Sequence, residues 1–237
     1  LAAYLSPRRP HLKQLGKVAI VLKPCDAKAV AGLIRETQVP RENVVLIGVR
    51  CGGVLADPES TAALSEATVA DRCRGCPDRE AKLADHLVGT AGPGFPGPSH
   101  RAQKVEELAA LPADQRWAFW QAEFEKCVRC HACRQVCPMC FCERCLADKT
   151  MPRWIESSPH NRGNFAWHVA RAMHLAGRCV DCGECERVCP EGLPLGLLTR
   201  KVAQVVADRY DFRPTDDPAV PAPVGTYRMD DPQEFIL

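Results

Sequence analysis

The sequence predicts an α+β chain: a small α/β unit with a parallel βαβ core, then an α-helical module organised by cysteines, then an extended tail. Three observations predict it. Two β-branched apolar runs, 17–23 and 43–50, flank a helical apolar stripe. Two copies of a C-x2-C-x2-C-x3-C-P run follow, at Cys127, Cys130, Cys133, Cys137 with Pro138 and at Cys179, Cys182, Cys185, Cys189 with Pro190. Beyond them the chain turns proline-rich and acidic. The domains expected are therefore 1–89 (α/β), 90–112 (Gly/Pro linker and helix), 113–207 (helical module) and 208–237 (tail).

The run 17–23 suits a buried strand and stops at Pro24-Cys25-Asp26. Asp26 is placed to cap a helix over 27–38, where Val30, Leu33 and Ile34 form the stripe and Pro40 ends it. A second buried strand, 43–50, runs into Cys51-Gly52-Gly53. Strand, helix and strand of these lengths require a right-handed crossover between parallel strands. Cys25 and Cys51 then share the carboxyl-terminal edge of the sheet, where open α/β sheets hold ligands. A helix is predicted over about 58–71 ahead of Cys73-Arg74-Gly75-Cys76, and a second short one through Ala84-Asp85-His86. Two readings of Cys25, Cys51, Cys73 and Cys76 stay open on spacing alone. They ligate a [4Fe-4S] cluster that Gly52 and Gly53 let the backbone approach, or Cys25 and Cys51 are ordinary buried thiols.

The compact runs are more specific. In the C-x2-C-x2-C-x3-C-P spacing three thiolates wrap one iron–sulfur cube and the fourth turns to a neighbouring cube. Cys127, Cys130, Cys133 and Cys189 are thus assigned to one [4Fe-4S] cluster, and Cys179, Cys182, Cys185 and Cys137 to a second. Zinc sites usually spread C-x2-4-C pairs over a longer loop instead. Between the runs stand Cys140, Cys142 and Cys145, three sulfurs within six residues. They are candidates for a further metal site, with His131, His160, His168 or Asp148 as a fourth ligand by residue type, or for thiols that pack against the clusters. Lys126, Arg129, Arg134, Arg144, Arg178 and Arg187 crowd these segments and either offset cluster charge or form a solvated face.

Helices are expected over 102–111, over 113–126 with Trp117, Phe119, Trp120 and Phe124 as a core-facing stripe, and over 164–175 leading into Cys179. The acidic, proline-rich segment 211–237, ending Phe235-Ile236-Leu237, cannot fold by itself and either frays or lies along the protein's own body or a partner.

Fifteen cysteines in 237 residues, an odd count at metal-ligand spacing with no secretory signal, point to reduced thiols and a cytoplasmic location. The chain begins at Leu1 rather than Met, which leaves room for an upstream piece. A formal net charge of +2 argues against a nucleic-acid partner. No stretch approaches the roughly 18 consecutive apolar residues of a membrane span. No nucleophile–base pair, acid/base pair or phosphate loop stands out, so no catalytic residue is assigned.

Two resemblances sharpen this. Pro24-Cys25-Asp26, Ile47-Gly48-Val49-Arg50-Cys51 and Cys73-x-x-Cys76 followed by Ala84-Asp85 and Gly89 resemble the beta-subunit family of deazaflavin-coenzyme hydrogenases and dehydrogenases, over about 17–89. The resemblance implies that the four cysteines hold a third [4Fe-4S] cluster. Family members often bind flavin, and some reduce a deazaflavin. Here 90–100 is a Gly/Pro linker rather than a second half of a nucleotide-binding sheet, so FAD is expected in a partner. The segment 113–207, with Cys189-Pro190-Glu191-Gly192-Leu193-Pro194-Leu195, is similar to the α-helical dicluster ferredoxin domain found in the ferredoxin-type subunit of heterodisulfide reductase and in related electron-transport subunits. Together these imply an electron-transfer subunit of a multisubunit anaerobic oxidoreductase, a hetero-oligomer with other redox subunits including a flavoprotein. The alternative is a flavin-dependent enzyme that reduces a deazaflavin or similar carrier at its own α/β domain.

Overall fold

The computed structural model describes residues 1–9, 14–90, 92 and 94–230. Strand β1 (Val18–Leu22), helix α1 (Pro24–Arg35) and strand β2 (Val44–Val49) form the expected crossover, with Val18 opposite Val44 in a parallel pair. A third strand, β3 (His86–Val88), adds in parallel on β2 with Ile47 opposite His86. The sheet order is β1-β2-β3.

Two predicted helices are corrected. The one through 84–86 is a bend leading into β3: the Asp85 carboxylate accepts from the Leu46 amide at 2.7 Å and pairs with Arg41, clipping the segment to β2 before it continues as a short exposed edge. The one over 58–71 is a loop of turns closed by a Leu55–Val69 bridge. Its hydroxyls and carboxylates bond the backbone locally. Asp57 takes the Glu59 amide at 2.9 Å, and the Thr68 hydroxyl accepts from the Ser65 amide at 2.9 Å while donating to the Ala63 carbonyl at 2.8 Å. Such bonds compete with a helical ladder.

Helix α1 starts earlier than expected. Lys23 is its N-cap and Pro24 its first residue, while Asp26 sits at the third position and accepts from the Lys23 amide at 3.4 Å. Cys25 therefore belongs to the first helical turn.

The helical module comprises α2 (His100–Ala110), α3 (Ala113–Glu125), α4 (Ala132–Val136), α5 (Asn161–His174), α6 (Glu184–Arg187) and α7 (Leu195–Tyr210). Ser99 caps α2 through a 3.0 Å bond from the Ala102 amide. Along α3, Phe124 is buried, but Trp117 is 47% exposed and meets Phe165 edge-on. The stripe is thus narrower than its sequence suggests. Buried Asn164 of α5 donates to the Phe124 and Cys127 carbonyls at 2.8 and 2.9 Å, tying α5 to the start of the first cysteine run.

The two modules share a core. Leu22, Val30, Leu33 and Leu46 of the α/β unit enclose Met139 and Leu175 of the helical module. The Met139 methyl lies only 3.0 Å from where a Cβ on Gly32 would sit. The tail lies along the body: Phe212 and Ala222 pack on Val206, the Lys82 amide donates to Asp216 at 2.8 Å, and Arg35 donates to the Asp217 carbonyl at 2.9 Å. Phe235-Ile236-Leu237 lies outside the described residues. Among the described residues no helix is long and apolar enough to cross a membrane.

Candidate iron–sulfur centres

The two runs have the same backbone. Left-handed residues fall two and four positions after the first cysteine of each: Arg129 (φ 58°) and His131 (φ 59°) after Cys127, and Asp181 (φ 55°) and Gly183 (φ 69°) after Cys179. For a non-glycine residue this conformation costs about 1–2 kcal/mol. Alternating left- and right-handed residues curl successive amides into a concavity suited to an anionic group. Each loop then enters a short helix, α4 or α6, that carries the third cysteine, Cys133 or Cys185.

The fourth cysteine of the first run turns to the second. Cys137, Cys179, Cys182 and Cys185 line one cavity. On the other side, Cys127, Cys133 and Cys189 join Phe124, Leu193 and Leu195 in one apolar cluster, and Cys127 lies within electrostatic reach of both Cys130 and Cys189. Burial pushes the Cys133 thiol up to about 11 and Cys179 to about 12, and holds Cys182 well above the ordinary thiol value. Cys137 is also held well above it, by its hydrogen bond with Cys140 and then by burial. Thiols so disfavoured as free anions ionise when a metal takes the charge. The donor set fits iron–sulfur cubes. Among the described residues no three His, Cys, Asp or Glu side chains are placed to hold a single metal ion, and a cubane spreads its thiolates over four irons.

At the sheet edge, Cys25 in the first turn of α1 lies within electrostatic reach of Cys51, just beyond β2, and of Cys76, which in turn is near Cys73. Burial, then Asp26, pushes Cys25 up to about 12. Gly52 and Gly53 also serve the packing of the chain. A Cβ on Gly52 would meet the Gly92 Cα at 2.9 Å, and Gly53 (φ 132°) faces Val69 and Phe95, so the glycines let chain pack on chain. Cys182 is also near Cys25, and Arg72 bridges to Glu184 at 3.2 Å, so the sheet-edge cysteines abut the second set.

Cys140, Cys142 and Cys145 line a separate cavity. None of the fourth ligands suggested by residue type lines it. Asp148 accepts from the Cys145 amide and pairs with Arg134, His160 caps α5 and pairs with Glu156, His131 meets Trp167 edge-on, and His168 stacks on Phe124. The histidine that does line it is His174, which the sequence reading missed although Trp167, Ala170, Arg171 and His174 recur at helical spacing.

Most of the predicted basic cluster is hydrogen-bonded or ion-paired within the protein. Arg129 donates to the Gly163 and Glu156 carbonyls at 2.7 and 2.9 Å, Arg178 pairs with Glu36, Arg187 with Glu184 and Lys126 with Glu123. The cations lining the cavity of the second set are Arg101, 6% exposed and bridged to Asp181 and Glu186, and Arg171, 4% exposed, while Arg134 and Arg178 join Arg171 on the cavity of Cys140, Cys142 and Cys145. Arg171 donates to the Cys133 carbonyl at 3.2 Å, lies within hydrogen-bond reach of Cys185, and makes no ion pair with a carboxylate among the described residues. Burial alone would favour its losing the proton, but Cys137, Cys140, Cys185 and Cys133 around it hold it as a cation.

The 4Fe-4S dicluster domain family matches residues 123–193. The F420-dependent formate dehydrogenase subunit beta of Methanocaldococcus jannaschii is 22% identical over 86% of this chain and 75% of its own length. The F420-dependent formate dehydrogenase 1 subunit beta of Methanococcus maripaludis is 24% identical over 88% and 76%. The acetyl-CoA decarbonylase/synthase complex subunit alpha 1 of Methanosarcina acetivorans is 29% identical, but over 42% of this chain and 10% of its own. Edge cysteines on a parallel sheet and a dicluster module thus occur in one chain that is homologous to the F420-dependent formate dehydrogenase beta subunits and carries a 4Fe-4S dicluster domain at 123–193.

Proposed function

We propose that the chain is the iron–sulfur electron-transfer subunit of a multisubunit anaerobic oxidoreductase of the hydrogenase, formate dehydrogenase or heterodisulfide reductase type, working between a flavin-bearing partner and another redox site. The observation that carries this is the cavity in which Cys137 of the first run joins Cys179, Cys182 and Cys185 of the second. Those four would hold one [4Fe-4S] cluster, Cys127, Cys130, Cys133 and Cys189 another, and Cys25, Cys51, Cys73 and Cys76 a third. When bound, such groups supply one-electron exchange at potentials set by nearby charge, hydrogen bonds and exposure. The chain's own residues set those conditions. Phe124, Leu193 and Leu195 pack against Cys127, Cys133 and Cys189 of the first set, and buried Arg101 and Arg171 put positive charge beside the second. With Cys25 beside Cys182, the thiols form a continuous row from the sheet edge to the end of α3. The names of the relatives support a dehydrogenase complex as the setting and a deazaflavin carrier as its distal redox partner.

Anaerobically purified chain should contain about equal iron and acid-labile sulfide, at least about 12 of each for three cubes, and no flavin. Cys137→Ala should remove the electron paramagnetic resonance (EPR) signal of the cluster held by Cys179, Cys182 and Cys185 and leave the sheet-edge cluster. Zinc in place of sulfide would reject the assignment, and bound flavin in the isolated chain would favour reduction of the carrier at the α/β unit.

A further inference from the structure

We propose that the cavity lined by Cys140, Cys142 and Cys145 is a fourth [4Fe-4S] site, with those three thiolates and the His174 imidazole as its ligands. The three cysteines come from a loop without regular structure, 137–145, and face one side of α5. That side presents Trp167, Ala170, Arg171 and His174, spaced three, four and seven residues apart, so the helix fixes His174 one turn from Arg171 on the same cavity wall.

Charge supports an anionic occupant. Arg134, Arg171 and Arg178 line the cavity. Arg134 is paired with Asp148 and Arg178 with Glu36, but Arg171 reaches the cavity 4% exposed, with its Nε unpartnered among the described residues and no carboxylate bound to it. A cube with three thiolates and one neutral imidazole is negative in both redox states and would share Arg171 with the second set, whose cavity that residue also lines. Tetrahedral zinc would draw all four ligand atoms to within about 2.0–2.3 Å of one ion, whereas a cube accepts them spread over four irons, so metal and sulfide analysis separates the two. Cys140 lies within hydrogen-bond reach of Cys137, which places the fourth site next to the second set, and Cys142 is exposed, which places it at the surface.

The test uses the full chain produced anaerobically with iron supplied. Wild type should carry roughly 16 irons and 16 sulfides, four per cube, and a Cys142→Ser/Cys145→Ser variant roughly 12, with the EPR signals of the dicluster module retained. Pulsed EPR of the reduced wild type should show a coordinated-nitrogen coupling that His174→Ala lacks. A wild-type count near 12 that the serine pair leaves unchanged overturns the site, as does zinc in place of those irons, or a nitrogen coupling that persists without His174. A wild-type count below 16 from which the serine pair still removes about four irons supports this site and instead faults one of the other three.

Discussion

Arg171 is held by the Cys133 carbonyl and the Cys185 sulfur, and owes its charge to the sulfurs around it. Removing that cation should disfavour the more negative, reduced state of the adjoining centres. Arg171→Met should therefore shift the midpoint potential of the cluster at Cys137, Cys179, Cys182 and Cys185 to more negative values in an EPR-monitored titration, while Arg171→Lys keeps most of it. An unchanged potential in the methionine variant would mean that the guanidinium only packs. His168 offers a second test at this scale. Burial, then Arg171, Arg129 and His131, depresses its pKa to about 3, and neither ring nitrogen has a partner among the described residues. An unfolded histidine takes up a proton near pH 6.5, so folding holds His168 neutral at a cost that grows as pH falls from about 6.5 toward 3, by about 1.4 kcal/mol per unit. His168→Phe should flatten the fall in unfolding free energy between pH 7 and pH 5, measured by denaturant titration under argon. The cysteines were legible in the sequence because ligand spacing is local. Arg171 and His174 were not, because a helix reveals which residues share a face but not what the face meets.

The elements were legible where local preference and tertiary environment agree. β1, α1 and β2 follow from the apolar runs and the helical stripe between them, though the proline start of α1 does not, and so does the edge that carries Cys25 and Cys51. β3 was not legible, since its three exposed residues carry no alternation and are held by Asp85 reaching to β2. The segment 58–71 has enough alanine to suggest a helix but also the hydroxyls that bond its backbone into turns. Gly48 on β2 shows how tightly β3 and its approach are packed, because an added Cβ would lie 2.8 Å from both Ala84 and Leu87. Gly48→Val should cost about 1–3 kcal/mol by overpacking, read as a lower unfolding midpoint, and should loosen the proposed sheet-edge cluster before the dicluster pair. Loss of iron from all sites together would instead mean that the sheet edge does not fold independently of the rest.

At the scale of the whole molecule, the separation into modules seen in the sequence is topological rather than mechanical. Met139 and Leu175 are core residues of the α/β unit although they lie beyond the linker. Met139→Ala should cost about 2–5 kcal/mol. Its thermal unfolding should remain one transition, with helical circular dichroism and iron–sulfur absorbance lost together. Two separated transitions would show that the modules fold apart. The sequence could not reveal this shared core, because a methionine between two cysteines carries no mark of what it will pack against.

The cavity that joins Cys137 to Cys179, Cys182 and Cys185 also constrains how the chain is made. Cys137 and Cys185 are 48 residues apart, so at about 5–20 residues per second a ribosome needs roughly 2–10 s to deliver the last wall after the first. During that interval the first run is a string of open thiols with no complete site to enter. Oxygen or a competing metal that meets the nascent chain then finds it at its most vulnerable, and iron–sulfur delivery has to act on a chain already released beyond its second run.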